Sequence, residues 1–218
     1  MNKKVSQSVI NRLPRYYRYL TEIENNGIER VSSKDLSERM SVTASQIRQD
    51  LNCFGGFGQQ GYGYNVESLK SSIEKILGLD RGYTAILVGV GHMGRTFAIN
   101  TKFESRGFKL IGMFDSDPKK DGMTVGKHTV RPYSEIKEFI DKNKPKMAIL
   151  AVPKSASRQV AEELIGYGIK AFLNFSYTEL SAFDDDVTVE NVHLSDSLMR
   201  LSYKLVEKDN SKNFGEGK

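Results

Sequence analysis

The sequence predicts an α/β protein in two parts, and three observations carry that reading. Up to about residue 78 the apolar residues recur at helical spacing, with two short capped segments in tandem. From residue 84 onward, short β-rich apolar runs alternate with amphipathic stretches. Between them, Leu77-Gly78-Leu79-Asp80-Arg81-Gly82 brackets a polar link with two glycines, which places a boundary near residue 80. A length of 218 residues suits one large domain or two small ones. With 39% hydrophobic and 27% charged residues, the chain is too apolar to be disordered. No run approaches the roughly 18 apolar residues of a membrane span. The opening Met-Asn-Lys-Lys-Val-Ser-Gln-Ser lacks the apolar stretch of a secretory signal, so a cytoplasmic protein with no membrane partner is expected. One cysteine, Cys53, excludes an internal disulfide, and three scattered histidines make a metal site improbable.

The elements of the first part follow in order. Leu13, Tyr16, Tyr17, Leu20 and Ile23 mark a helix, with Pro14 suited to its first turn and Asn25-Asn26-Gly27 to its end. Ser32 with Asp35, and Thr43 with Gln46, fit two capping boxes. They open short helices carrying Leu36 and Met40, then Ile47 and Leu51, joined by a tight turn. That is a helix-turn-helix. In its second helix Ser45, Gln46, Arg48 and Gln49 are left facing outward near the amino end. These side-chain types read base edges, and this is where a recognition helix enters the major groove. Residues 54–64, Phe-Gly-Gly-Phe-Gly-Gln-Gln-Gly-Tyr-Gly-Tyr, hold five glycines among aromatics. They suit a tight hairpin, so the unit is expected to be a winged helix-turn-helix with Phe57, Gly58 and Gln60 on a DNA-contacting wing. The net charge is +5, and residues 1–20 carry Lys3, Lys4, Arg12, Arg15 and Arg18 with no acid. Arg12, Arg15 and Arg18 are therefore expected to contact phosphates. Asn65 caps a further helix with Val66, Leu69, Ile73 and Leu77 on one face.

In the second part, Thr84–Val88 is an apolar run of the kind a strand buried on both faces requires. It leads into Gly89-Val90-Gly91-His92-Met93-Gly94 and then a helical stretch. This is G-x-G-x-x-G between strand and helix, the setting in which it points to a dinucleotide-binding Rossmann fold. The pyrophosphate would sit at the helix amino end. A second strand ends at Asp115, 21 residues after Gly94. An acid there can accept bonds from an adenosine ribose and repels a 2′-phosphate, favouring NAD and NADH over the phosphorylated forms. Strands follow at 147–153, 169–175 and 187–192, with helices at 133–144 and 155–167. Val152, Pro153, Phe175 and Ser176 sit at strand ends and are candidate lining residues.

Catalytic residues are not evident. Only one helix follows the nucleotide fold, and neither His92 nor His193 has an acid partner for proton transfer. A DNA-reading head on a cofactor fold without catalytic groups suggests a sensor rather than an enzyme. The last helix, 193–206, carries Leu194, Leu198, Leu201 and Leu205 on one face and Met199, Tyr203 and Val206 on a second. A helix apolar on two sides needs two surfaces to cover it.

The segments RLPRYYRYL, SSKDLSERMSVTASQIRQDL, FGGFGQQGYGY, GVGHMG, AVPKSASRQVAEEL and IKAFLNFS together resemble the bacterial redox-sensing transcriptional repressors of the Rex family, along nearly the whole chain. The resemblance implies a homodimer with an N-terminal winged helix (1–80) and a Rossmann NAD(H)-binding domain (81–192). It further implies a helix swapped between subunits (193–208), followed by a tail (209–218) whose composition suggests disorder. It also implies release from double-stranded operator DNA, an inverted repeat, when NADH replaces NAD. Three positions depart from the pattern of some members. Gln49 stands where Lys is common, Asn100 where a Tyr can join the switch, and His193 where the last helix often supplies an Asp. A small NAD-dependent reductase and a CoA-binding domain are the competing readings, and neither needs the winged helix.

Overall fold

The structure, a computed structural model, describes residues 5–55, 58–59, 62–180 and 183–215. The chain divides into two compact units, Met1–Arg81 and Gly82–Lys218.

The first unit opens with α1 (Gln7–Asn25), whose buried face is Val9, Leu13, Tyr16, Leu20 and Ile23. Pro14 lies inside α1 rather than in its first turn, because the helix starts at Gln7. The proline is exposed, so solvent can satisfy the carbonyl its missing N–H leaves free. Gly27, at φ +73°, ends the helix. β1 (Arg30–Val31) follows, then α2 (Ser33–Met40) and α3 (Ala44–Asn52). Ser32 and Asp35 close a full capping box on α2. Thr43 caps α3 by accepting from the Gln46 N–H, but the Gln46 side chain does not reach back; it donates to Asp50 instead. The second box is thus half of what its sequence suggests. β2 (Gly58–Gln59), β3 (Gly63–Asn65) and α4 (Val66–Leu77) complete the unit. The three strands form an antiparallel sheet in the order β1-β3-β2. At two residues, β1 is too short to announce itself in the sequence. Gly63 is obligatory beside it, since φ is +69° and a Cβ would lie 2.7 Å from the Val31 carbonyl. One core joins the helices, with Leu13, Tyr16, Leu36, Met40, Ile47 and Ile73 fully enclosed.

The second unit runs β4 (Tyr83–Val88), α5 (His92–Ile99), β5 (Phe108–Asp115), β6 (Thr124–Val125), β7 (His128–Pro132), α6 (Ile136–Asn143), β8 (Met147–Leu150), α7 (Lys154–Gly166), β9 (Ala171–Asn174), β10 (Thr188–Asn191) and α8 (Leu194–Gly215). The sheet order is β10-β9-β8-β4-β5-β7-β6, parallel except for the β6–β7 pair. From β4 the chain first goes to β5 on one side and later returns to β8 on the other. The β4/β8 seam is therefore the switch point of a doubly wound sheet, where a crevice opens at the strand carboxyl ends. Alternation in β4 divides the core. Ile86 and Val88 face α6 and α7, while Ala85 and Leu87 face the α5 side.

Two expectations are corrected. The sequence reading assigned no strand to β7, whose only fully inward apolar residue is Val130. The tail expected to be disordered from 209 is helical as far as Gly215. Polarity alone does not stop a helix, and no Gly or Pro occurs between 194 and 214 to do so.

Candidate nucleotide and nucleic-acid sites

The three loop glycines do different jobs. Gly89 has φ +94°, and a Cβ there would lie 2.5 Å from the Ala151 carbonyl; at Gly94 a Cβ would lie 2.0 Å from the Gly89 carbonyl. Both are demanded by the protein's own packing. Gly91 is not: a Cβ there meets nothing within 4 Å. It is the amino-terminal cap of α5, and no side chain caps that end. The space in front of Gly91 and the partial positive charge of the helix end are what a pyrophosphate needs. His92 and Met93 are exposed on the first turn, and Val90 is buried, so Val90 takes part through its backbone.

Asp115 ends β5 nearly buried, and its carboxylate ties the site together. Oδ2 accepts from the Val90 N–H at 2.7 Å and from Lys120 Nζ at 2.9 Å, and Oδ1 accepts from the Asp117 N–H at 2.9 Å. Burial alone would raise this carboxyl, but Lys120 and the two N–H donors outweigh it and hold the group below its ordinary value. Asp115 thus makes the Asx turn of Asp-Ser-Asp-Pro and also reaches the glycine loop. Sequence reasoning missed Lys120, which sits five residues on, at the end of a single 3-10 turn, Pro118–Lys120.

The Ala151 N–H bonds the Val88 carbonyl at 2.8 Å, and the Phe175 N–H bonds the Leu150 carbonyl at 2.8 Å. The ends of β4, β8 and β9 are thereby held side by side, bringing Val152, Pro153 and Phe175 to the crevice. Phe175 is half-buried and packs against Phe97 in an edge-type arrangement, with ring centroids 6.1 Å apart. Ser176 does not behave as expected. It is buried, donates from Oγ to Asn174 Oδ1 at 2.7 Å, and its Oγ lies 2.6 Å from Ser157 Oγ. Its hydroxyl is spent on scaffold and supports the loop. Asn174 in turn donates to the Thr178 carbonyl and to Asn191. The sequence signal for this network was faint: an Asn closing an apolar strand run.

In the first unit, Ser45, Arg48 and Gln49 are exposed on α3. Arg48 Nη1 donates to Ser33 Oγ at 3.1 Å. Gln46 and Arg12 do not point outward as expected. Asp50, fully buried on α3, accepts from Arg12 Nε at 2.6 Å, Arg12 Nη2 at 2.8 Å, the Tyr16 hydroxyl at 2.9 Å and Gln46 Nε2 at 2.8 Å. A buried charge has to be paired, and these two side chains are recruited for that. Arg15 Nη2 donates to the Met40 carbonyl at 2.7 Å, while Arg18 stays exposed over the Tyr19 ring. Gly58 lies in β2; Phe57 and Gln60 fall outside the described residues. Near the wing, Tyr62 is exposed and Arg30 stacks on its ring while donating to its carbonyl. The isolated Arg30 gave no periodic signal.

α8 exposes Leu194, Leu198, Met199, Leu201, Tyr203, Leu205 and Val206, each more than half accessible. A cavity of about 380 Å³ opens on the α5 side of the sheet, lined among others by Phe97, Phe103, Met147, Ile149 and Leu173. Among the described residues there is no cluster of metal-ligating side chains, and no helix is long and apolar enough to cross a membrane.

Comparison with known proteins shows the family. Residues 4–52 match the family model "Putative DNA-binding protein N-terminus", and residues 80–178 match "CoA binding domain". A redox-sensing transcriptional repressor Rex of Caldanaerobacter subterraneus subsp. tengcongensis is 53% identical over 211 residues, covering 96% of this chain and 94% of its own. The Rex repressor of Thermoanaerobacter pseudethanolicus is 52% identical over 206 residues, covering 94% and 92%. The chain belongs to the Rex family of redox-sensing transcriptional repressors. Among solved structures, RSP, a Rex-family repressor, in complex with β-NAD+ and operator DNA aligns with a TM-score of 0.87 at 49% identity, covering 99% of this chain and 100% of that one. The β-NADH complex of RSP aligns with a TM-score of 0.88 at 47% identity, covering 97% and 99%. Rex relatives are repressors, so the competing reading as a small reductase falls away.

Proposed function

We propose that the chain is an NADH/NAD-responsive transcriptional repressor. It binds an inverted-repeat operator as a homodimer and releases it when NADH occupies the Rossmann unit. The observation that carries this reading is the division of labour in the glycine loop. Two glycines answer to the fold, while Gly91 opens onto free space beside an uncapped helix end, with Asp115 anchored to the same loop. The RSP complex with β-NAD+ and operator DNA spans both units of this chain and supports joining that loop to α3 in one device.

Each part then has a role. The backbone from Gly89 to Gly94 holds the pyrophosphate, and the remaining acceptor capacity of Asp115 takes the adenosine ribose. Val152, Pro153 and Phe175 wall the nicotinamide end. CoA, the other ligand of such folds, carries a phosphate on its adenosine ribose, which the Asp115 carboxylate disfavours. Ser45, Arg48 and Gln49 read bases, Phe57, Gly58 and Gln60 add DNA contacts, and Arg15 and Arg18 track phosphates. Residues 193–208 dimerise, the exposed apolar faces of α8 packing on a second copy. The reading places the protein in the cytoplasm. A gel shift with an inverted-repeat duplex selected from a random pool tests the whole. NADH should release the DNA, and NAD, NADPH and CoA should not. Binding that ignores NADH, or release by CoA, would overturn it.

A further inference from the structure

One carboxylate gathers the strong donors between α1 and α3. Asp50 has no solvent exposure, and its oxygens accept four bonds, two from Arg12, one from Tyr16 and one from Gln46. A carboxylate has about four acceptor sites, so this one is full. Arg12 is four-fifths enclosed, with 22% side-chain exposure, and spends both donors of its fork on the pair. Burial works against the Asp50 charge, yet the bonds from Arg12, Gln46 and Tyr16 hold its pKa below the ordinary value.

The position of Asp50 on α3 matters more than its burial. Ile47 and Leu51 are the buried apolar residues of this nine-residue helix. At about 100° per residue, Asp50 and Arg48 lie about 80° to either side of the line through those two. A two-residue apolar line resists roll about the helix axis only weakly, and a bidentate fork on its flank adds resistance to that motion. A roll of about 10° moves an atom 6 Å from the axis by about 1 Å, and about 1 Å is enough to break a base-edge hydrogen bond.

We propose that Arg12, Asp50, Tyr16 and Gln46 form a clamp that fixes the rotation of the recognition helix. Base reading is thereby left to Ser45, Arg48 and Gln49, and neither Arg12 nor Gln46 contacts DNA. Arg12 is a positioning residue acting through Arg48, which makes it different in kind from Arg18. This rests on the DNA-binding reading above.

The test uses the full-length chain, the selected inverted-repeat duplex and a scrambled duplex of equal length, across a salt series. The paired variant Arg12→Met with Asp50→Asn removes one charge of each sign and leaves none buried. Its affinity for scrambled DNA and the salt slope should match the parent, while its preference for the repeat falls about tenfold or more. Arg48→Ala should cost less in that background than in the parent, because the clamp acts through Arg48. A salt slope lower by about one, with both duplexes weakened alike, would make Arg12 a phosphate contact and overturn the clamp. Unchanged preference or additive losses would overturn it too. If the paired variant fails to fold, Arg12→Lys keeps the charge, breaks the fork and decides by the same measurements. A parent chain with no preference for any duplex would instead remove the DNA-binding reading itself.

Discussion

The sharpest test of the nucleotide site is the adenosine end, where Asp115 and Lys120 stand 2.9 Å apart at the loop. NADPH differs from NADH by one phosphate in place of a ribose hydroxyl. It therefore forfeits a hydrogen bond to a charged acceptor, worth about 1.5–3 kcal/mol. It also brings negative charge toward a carboxylate: at about 5 Å and an effective dielectric near 20, one such pair costs about 3 kcal/mol. Lys120 cancels part of that repulsion, so the hydrogen bond remains the dependable share. NADH should then bind about 100-fold more tightly than NADPH, read as quenching of nicotinamide fluorescence or by calorimetry. Asp115→Asn is a better probe than the alanine variant. Its amide oxygen can still accept the buried Val90 N–H, which alanine would orphan, and it leaves Lys120 unopposed. The gap should shrink at least tenfold. Lys120→Met should move it the other way, since the carboxylate loses its counterion. Equal affinity of the parent for both cofactors, or a ratio indifferent to both substitutions, would refute the assignment of this end of the site.

Gly91→Ala should leave the melting temperature nearly unchanged while weakening NADH at least tenfold, whereas Gly94→Ala, with its Cβ 2.0 Å from a carbonyl, should destabilise the fold itself; thermal melts with and without NADH separate the two. Deleting residues 193–218 should abolish the stable dimer and the NADH effect while leaving the first unit folded, as sedimentation and gel shifts would show; a dimer that still responds to NADH refutes the role given to α8. Asp50 and Asp115 both have pKa values lowered by folding, so the stability they add is complete above the unfolded value near 3.9 and is lost as pH falls through the folded values. Urea midpoints should decline below about pH 4, and Asp50→Asn should flatten that decline even though it lowers stability at neutral pH.

The glycine loop was legible because each glycine answers a local geometric demand: a tight turn at Gly89, close packing at Gly94, an open approach at Gly91. Asp115 was legible because the βαβ unit fixes where an acid falls. Lys120 was not, since its meeting with Asp115 depends on how one short turn folds back. On α3 the outward set was read too broadly. A charged residue on a short helix looks solvent-facing, and nothing near Asp50 shows that Arg12, 38 residues earlier, makes its burial tolerable. Gln46 followed Asp50 inward for the same reason. β1 and β7 escaped because their pairing is non-local and each offers too few residues for alternation to show.

On this reading the redox signal must be carried by quaternary structure. To move a dimer from 1:99 to 99:1 between two arrangements, NADH has to prefer one of them by about 10⁴-fold. The glycine loop and Asp115 touch the half of the dinucleotide that NAD and NADH share, so they supply affinity without supplying that difference. Discrimination has to arise at the nicotinamide, which is uncharged when reduced and cationic when oxidised. A dehydrated apolar enclosure favours the uncharged ring. Within one chain the strand ends at Val152 and Phe175 offer only part of such an enclosure, while α8 leaves seven large apolar side chains exposed among its described residues. The surface able to complete the enclosure is the one a second copy brings. Sensing and dimer geometry are then one equilibrium, and any change that lets α8 pack equally well in both arrangements erases the response while sparing both binding sites.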